Sequence, residues 1–178
     1  MLNHQALVHF KQEPGRDGGN RGGTMYKLNF DGALCQSSRK AGFGVIIRNN
    51  EGLPMVSLMG SKTNVIDLYA AEVFAAIQGL QLAHDIGIKK VIIEGDSAST
   101  IKALHGSEDY CSWLGNEILE VRRLLQRLEE WDLSMIRREA NVVAHMLARQ
   151  ALHTKDTRIW MEDAPDFVCK QVQLDVTP

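Results

Sequence analysis

"VIIEGDSAST", residues 91–100, passes from an apolar run into an acid and then into residues that suit the start of a helix. Val91, Ile92 and Ile93 lack the polar alternation of a half-exposed strand, so they read as a strand covered by helices on both faces. That puts the chain in the α/β class. It also leaves Asp96 to be explained. A carboxylate at the end of such a strand either caps the next helix or faces a functional crevice. Acids elsewhere in the chain bear on the choice.

Upstream, "YKLNFD" (26–31) alternates apolar and polar residues and reads as a strand ending on Asp31. "AGFGVIIRNNEGLPMVSLMG" (41–60) is two apolar runs around Asn-Asn-Glu-Gly, which predicts a hairpin. From about Val65 to Asp85 the period becomes helical, with Gly87 as the stop. The buried strand then runs from about Lys90 to Gly95, with a short helix from Ser97 to about His105. Beyond a loop at "GSEDYCS" (106–112), "WLGNEILEVRRLLQRLEEW" (113–131) is amphipathic, with Leu114, Ile118, Val121, Leu124, Leu125 and Leu128 on one side. "LSMIR" (133–137) reads as a last strand, and Asn141 caps a last helix that reaches about Leu152. The order β-β-β-α-β-α-α-β-α predicts a mixed five-stranded sheet, a three-strand antiparallel meander plus parallel strands, with helices on both faces.

The segment "KQEPGRDGGNRGGT" (11–24) is rich in Gly and charge and reads as a linker. The expected organisation is a flexible segment over 1–24, a folded domain over 25–153 and a C-terminal extension over 154–178. A formal net charge of -2 gives no general drive toward nucleic acid or anionic lipid. A polyanion partner would have to be met by a local basic patch or by metal ions. Cys35, Cys111 and Cys169 are far apart and form no CxxC, which argues against a zinc site or a disulfide framework and for a reducing, intracellular compartment. Nucleus and cytoplasm stay open. No apolar run is long enough for a membrane span, no signal-peptide segment opens the chain, and a monomer is expected.

Glu72 is the most informative acid. Its helical neighbours Leu68, Tyr69, Ala75 and Ala76 are apolar, so its carboxylate sits in an apolar stripe. Such a group needs a partner or a cation. Asp31 and Asp96 would meet at one sheet end if their strands are adjacent and parallel. Each has a plainer reading: Asp31-Gly32 as a turn pair, Asp96 as a helix cap, Glu72 as a buried and paired group. Clustered carboxylates without Cys suit hard divalent ions bound through oxygen. Two such ions can hold the attacking and leaving oxygens of a phosphodiester displacement.

The segments "KLNFDGA", "AGFGVIIRNNEG", "AAEVFAAIQGLQLAHDIGIKKVIIEGDS" and "REANVVAHMLARQA" resemble the ribonuclease H domain, in particular plant ribonuclease H-like domains related to retrotransposon reverse transcriptases. "IWMEDAPDFV" resembles that family's tail. The resemblance implies an endonuclease that cuts RNA paired to DNA with Mg²⁺ or Mn²⁺. Asp31, Glu72, Asp96 and His145 fall on the family's four metal-site and catalytic positions. Asn141 falls on an asparagine that touches the hybrid, and Gly32 on a glycine that offers its N–H to the RNA strand.

The chain departs from that pattern in several places. His145 stands where an aspartate is usual, and imidazole suits Mn²⁺ better than Mg²⁺; alternatively it only fills a helix surface. "IRREAN" is short and holds no histidine, so the mobile histidine loop of bacterial members is missing. Leu68 replaces an asparagine that reads the RNA strand, and an acidic "HGSEDYCS" stands in for a basic protrusion. Arg39, Lys40, Arg138 and Arg149 are the candidate phosphate contacts. Three readings follow: a slow, Mn²⁺-preferring nuclease, a nucleic-acid-binding module that has lost cleavage, or a protein-interaction domain using 113–131 or 154–178.

Overall fold

A computed structural model describes residues 24–106 and 114–176. The linker up to residue 23 and most of the loop before the leucine-rich helix, Cys111 included, lie outside them. The strands are β1 (Tyr26–Cys35), β2 (Lys40–Arg48), β3 (Pro54–Lys62), β4 (Lys90–Gly95), β5 (Glu130–Met135) and β6 (Arg158–Met161). The helices are α1 (Leu68–Asp85), α2 (Ala98–His105), α3 (Gly115–Gln126), α4 (Val142–Ala151) and α5 (Asp166–Val176). One mixed sheet has the order β5-β4-β1-β2-β3-β6. β1, β2, β3 and β6 pair antiparallel, while β4 lies parallel to both β1 and β5.

Alternation along the strands sorts the core into two layers. Leu28, Phe30, Val45, Ile47 and Leu58 face α1 and, beyond it, Val121, Leu124 and Leu125 of α3. Ile46, Met59 and Trp160 face the other way, against Val143 and Leu147 of α4 and Val168 and Val172 of α5. No helix among the described residues is long and apolar enough to cross a membrane.

The sheet has six strands, not the expected five. β6 pairs with β3 from Val56↔Met161 to Met59↔Arg158, and at four residues it is too short to display a period. With α5 it brings residues 158–176 onto the same sheet and core. β1 also differs from expectation. Asp31-Gly32 is no turn, because β1 continues in register with β2 to Cys35↔Lys40. Gly32 is required there for another reason: a Cβ would sit 2.5 Å from the backbone nitrogen of Glu72. β5 begins at Glu130 rather than Leu133, since its first three residues are all exposed and carry no burial signal. α1 begins at Leu68, with Asp67 as its cap through a 2.8 Å bond from the Ala70 amide.

Candidate active site

Asp31 lies in mid-β1, two residues beyond Asn29↔Glu94, the last paired position of β1 and β4. Asp96 follows β4 by one residue. The ladder between these strands has therefore ended where the two acids stand, on the face toward α4. Glu72 is in the second turn of α1, which the missing side chain of Gly32 lets down onto β1. His145 is in the first turn of α4. Gly44 directly opposes Asp31 on β2, and a Cβ there would meet the carbonyl oxygen of Ala144 and the amide of Ala148. Bare backbone at Gly44 thus seats α4 close enough for His145 Nδ1 to reach Asp31 Oδ2 at 2.7 Å.

Each acid has a protein partner. Glu72 is buried, and its Oε2 accepts from the Thr100 hydroxyl at 2.5 Å. Thr100 is itself buried in the first turn of α2 and shares a 2.9 Å bond with Ser97. Asp96 Oδ1 accepts from Asn141 Nδ2 at 3.2 Å, and its Oδ2 lies 3.9 Å from Arg138 Nε. Ser97, not Asp96, caps α2, so the capping explanation of Asp96 falls away.

Asn141 occupies the N-cap position of α4 but makes no side-chain capping bond. Its Nδ2 donates instead to the Phe30 carbonyl at 2.9 Å as well as to Asp96, leaving Oδ1 buried without a partner. At 1% exposure this amide turns inward and ties β1, Asp96 and α4 together. The burial that makes Asn141 an internal tie is invisible in sequence.

Burial is the main force on Asp31. It lifts the carboxyl from 3.8 to about 6, with His145 opposing the shift and the charges of Asp96 and Glu72 adding to it. Burial likewise raises Glu72, against the hydroxyls of Ser97 and Thr100, and Asp96 raises it further. Asp31 and Glu72 therefore both lie in the field of Asp96, and a cation beside them would relieve both. The donor set, carboxylate oxygens plus one imidazole and no thiolate, fits a hard divalent ion or Mn²⁺. Among the described residues no three such groups converge on one point.

The basic residues divide. Arg138 stands exposed beside Asp96. Arg149 is exposed one turn along α4 from His145, on the same helix face. Lys40 is withdrawn: it donates to the carbonyls of Leu152 and Thr154 at 2.8 and 2.5 Å and closes the end of α4. Arg39 is at the left-handed φ of 48° that turns the chain into β2. Leu68 is 48% exposed, one turn before Glu72. Thr100 was not foreseen as part of the site; its only trace in sequence is the hydroxyl cluster Ser97, Ser99 and Thr100 immediately after Asp96.

This sheet order, with acids gathered where β1 and β4 separate, is that of a ribonuclease H-like domain. RNase H1 from the halophilic archaeon Halobacterium salinarum NRC-1 shares the fold at a TM-score of 0.69 and 26% identity, over 72% of this chain and 98% of that one. LC11-RNase H1, solved in complex with an RNA/DNA hybrid, shares it at 0.66 and 20% identity, over 72% and 96%. The chain belongs to the reverse transcriptase-like family, whose model matches residues 29–151. In sequence it is 29% identical over 134 residues to a ribonuclease HI of Halobacterium salinarum, a match that takes in 75% of this chain and 66% of the relative, just under two thirds.

Proposed function

We propose that the protein is a metal-dependent endonuclease that hydrolyses the RNA strand of RNA–DNA hybrids by a two-metal-ion mechanism, with Mg²⁺ or Mn²⁺ as cofactor. The observation that carries this reading is the gathering of Asp31, Glu72, Asp96 and His145 from four elements at one end of the sheet, where the charge of Asp96 raises the charging cost of both Asp31 and Glu72. The similarity to ribonucleases H, one of them solved on a hybrid, supports the substrate class.

When bound, the ions supply positive charge to both the attacking and the leaving oxygen of the phosphodiester. Asp31, Glu72 and Asp96 would hold them through carboxylate oxygens, and His145 through Nε2, since Nδ1 is turned to Asp31. A carboxylate on one ring nitrogen orients the imidazole and raises the basicity of the other. Arg138 and Arg149 would bind phosphates along the strand, and the Gly32 N–H the sugar-phosphate of the RNA. Thr100 would orient Glu72 through its hydroxyl, which donates to Oε2.

A second reading is a binding module in which the groove survives and cleavage does not. The commitment of every acid to a protein partner favours it, as does the histidine on Asp31. Incubation of a labelled RNA–DNA hybrid with the protein, in Mg²⁺ and in Mn²⁺ separately, decides between them. The nuclease reading requires cut RNA in at least one metal; tight hybrid binding with no cleavage in either selects the module.

A further inference from the structure

Behind the acids, on the same sheet face, runs a chain of polar groups that the proposed chemistry does not use. Asp175 of α5 accepts from Arg48 Nη2 at 2.8 Å. Arg48, on β2 and 7% exposed, donates through Nη1 to Asn29 Oδ1 at 2.8 Å. Asn29, buried on β1, donates through Nδ2 to Glu94 Oε2 of β4 at 2.9 Å. Arginine can only donate, which fixes the Asn29 amide with its oxygen toward Arg48 and its nitrogen toward Glu94. A buried arginine and a buried amide are costly to keep in a core face that Ile46 and Met59 otherwise make apolar.

Their place in the register gives the network its meaning. Asn29 and Glu94 form the last paired rung of β1 and β4, and Asp31 and Asp96 stand two residues further on, on the same face. With no ladder beyond that rung, the separation of the two acids depends on what holds the strands at it, together with Asn141, which bridges the Phe30 carbonyl and Asp96. We propose that Asn29 is a positioning residue for the acids: held by Arg48 and, through it, by Asp175 of α5, it clasps Glu94 and fixes the spacing at which β1 and β4 present Asp31 and Asp96. The inference rests on the reading of those acids as the metal site. It gives α5, outside the family match at 29–151, a part in that site.

The test uses the full chain, prepared free of metal. It reads Mn²⁺ binding from the thermal shift the ion produces, alongside hybrid cleavage. Asn29→Asp keeps the oxygen that Arg48 needs and replaces the donor to Glu94 by a second carboxylate. Half-saturating Mn²⁺ is expected to rise about tenfold, and kcat to fall about as much with little change in KM for the hybrid. An effect of charge alone runs the other way, because an added carboxylate attracts the cation. Glu94→Gln added to Asn29→Asp restores a donor and an acceptor across the rung and is expected to recover both quantities. Asp175 is a quarter exposed, so Asp175→Asn leaves a folded protein with a looser tether and a rise of roughly threefold, below the usual range for a direct partner. Unchanged half-saturating Mn²⁺ in Asn29→Asp, or no recovery in the double variant, makes the network structural support only and overturns the proposal. A parent that binds Mn²⁺ and cleaves no hybrid overturns the nuclease reading alone. A parent that binds no Mn²⁺ overturns both.

Discussion

Asp31 and His145 stand 2.7 Å apart, and the chemistry of the site turns on that pair. His145→Asp would set two carboxylates face to face. Without metal that variant is expected to melt lower than the parent, and Mg²⁺ is expected to restore it, because like charges at this distance need a cation between them. Its preference for Mn²⁺ over Mg²⁺ in hybrid cleavage should shrink. Asp31→Asn should abolish cleavage in either background. Paired Mg²⁺ and Mn²⁺ titrations of stability and cleavage check all three outcomes; a His145→Asp protein matching the parent in both metals would make His145 a bystander. A pH dependence follows from the same residue. Folded, Asp31 keeps its proton to about pH 6, whereas the unfolded chain releases it near its ordinary 3.8. The folded state therefore binds more protons between these values, and the metal-free fold loses stability as pH rises through that window, by on the order of 2–3 kcal/mol. Denaturant melts in chelator across the window should show the decline in the parent and a flatter profile in Asp31→Asn.

Secondary elements were legible in proportion to how strongly burial patterned them. β4, the β2–β3 hairpin and α2 lie where apolar runs and turn residues put them, since each has a buried face or a glycine-marked turn. β5 and β6 were misread or missed because they are sheet edges, where few residues are buried and the ladder itself holds the strand. Glu72 drew attention because a carboxylate in an apolar stripe conflicts with its surroundings, and Asp31 and Asp96 because each follows the apolar run of a strand. Thr100, Asn29 and Arg48 were not legible, since only the packed structure shows which polar groups face one another. The elements also depend on bare backbone between them. Gly44→Ala should push α4 off β2 and cost about 1–3 kcal/mol, the usual range for an overpacked core. Because Gly44 opposes Asp31, the same variant should also lose the Asp31–His145 hydrogen bond. Thermal melts, with the His145 ring resonances followed by NMR, check both effects.

For the molecule as a whole, a net charge of -2 offers a polyanion no general attraction, so binding must depend on a few placed cations. Removing Arg138 or Arg149 as Ala is expected to weaken hybrid binding and to reduce the slope of log affinity against log salt by roughly one. Either arginine whose loss leaves that slope unchanged is solvated surface charge and no phosphate contact.

The bond from Asp31 to His145 spans 114 residues of chain. At the ribosome's roughly 5–20 residues per second, Asp31 is made about 6–23 s before the helix that completes its surroundings. Throughout that interval β1 and β2 have no α4 to cover Gly42, Gly44 and Ile46, and a sheet face built to lie against a helix stands open. The close approach that shapes the site thus also sets its timetable: the pocket between Asp31 and His145 is among the last parts of the molecule to close, and defects in α4 should appear first as chains lost on the way to folding.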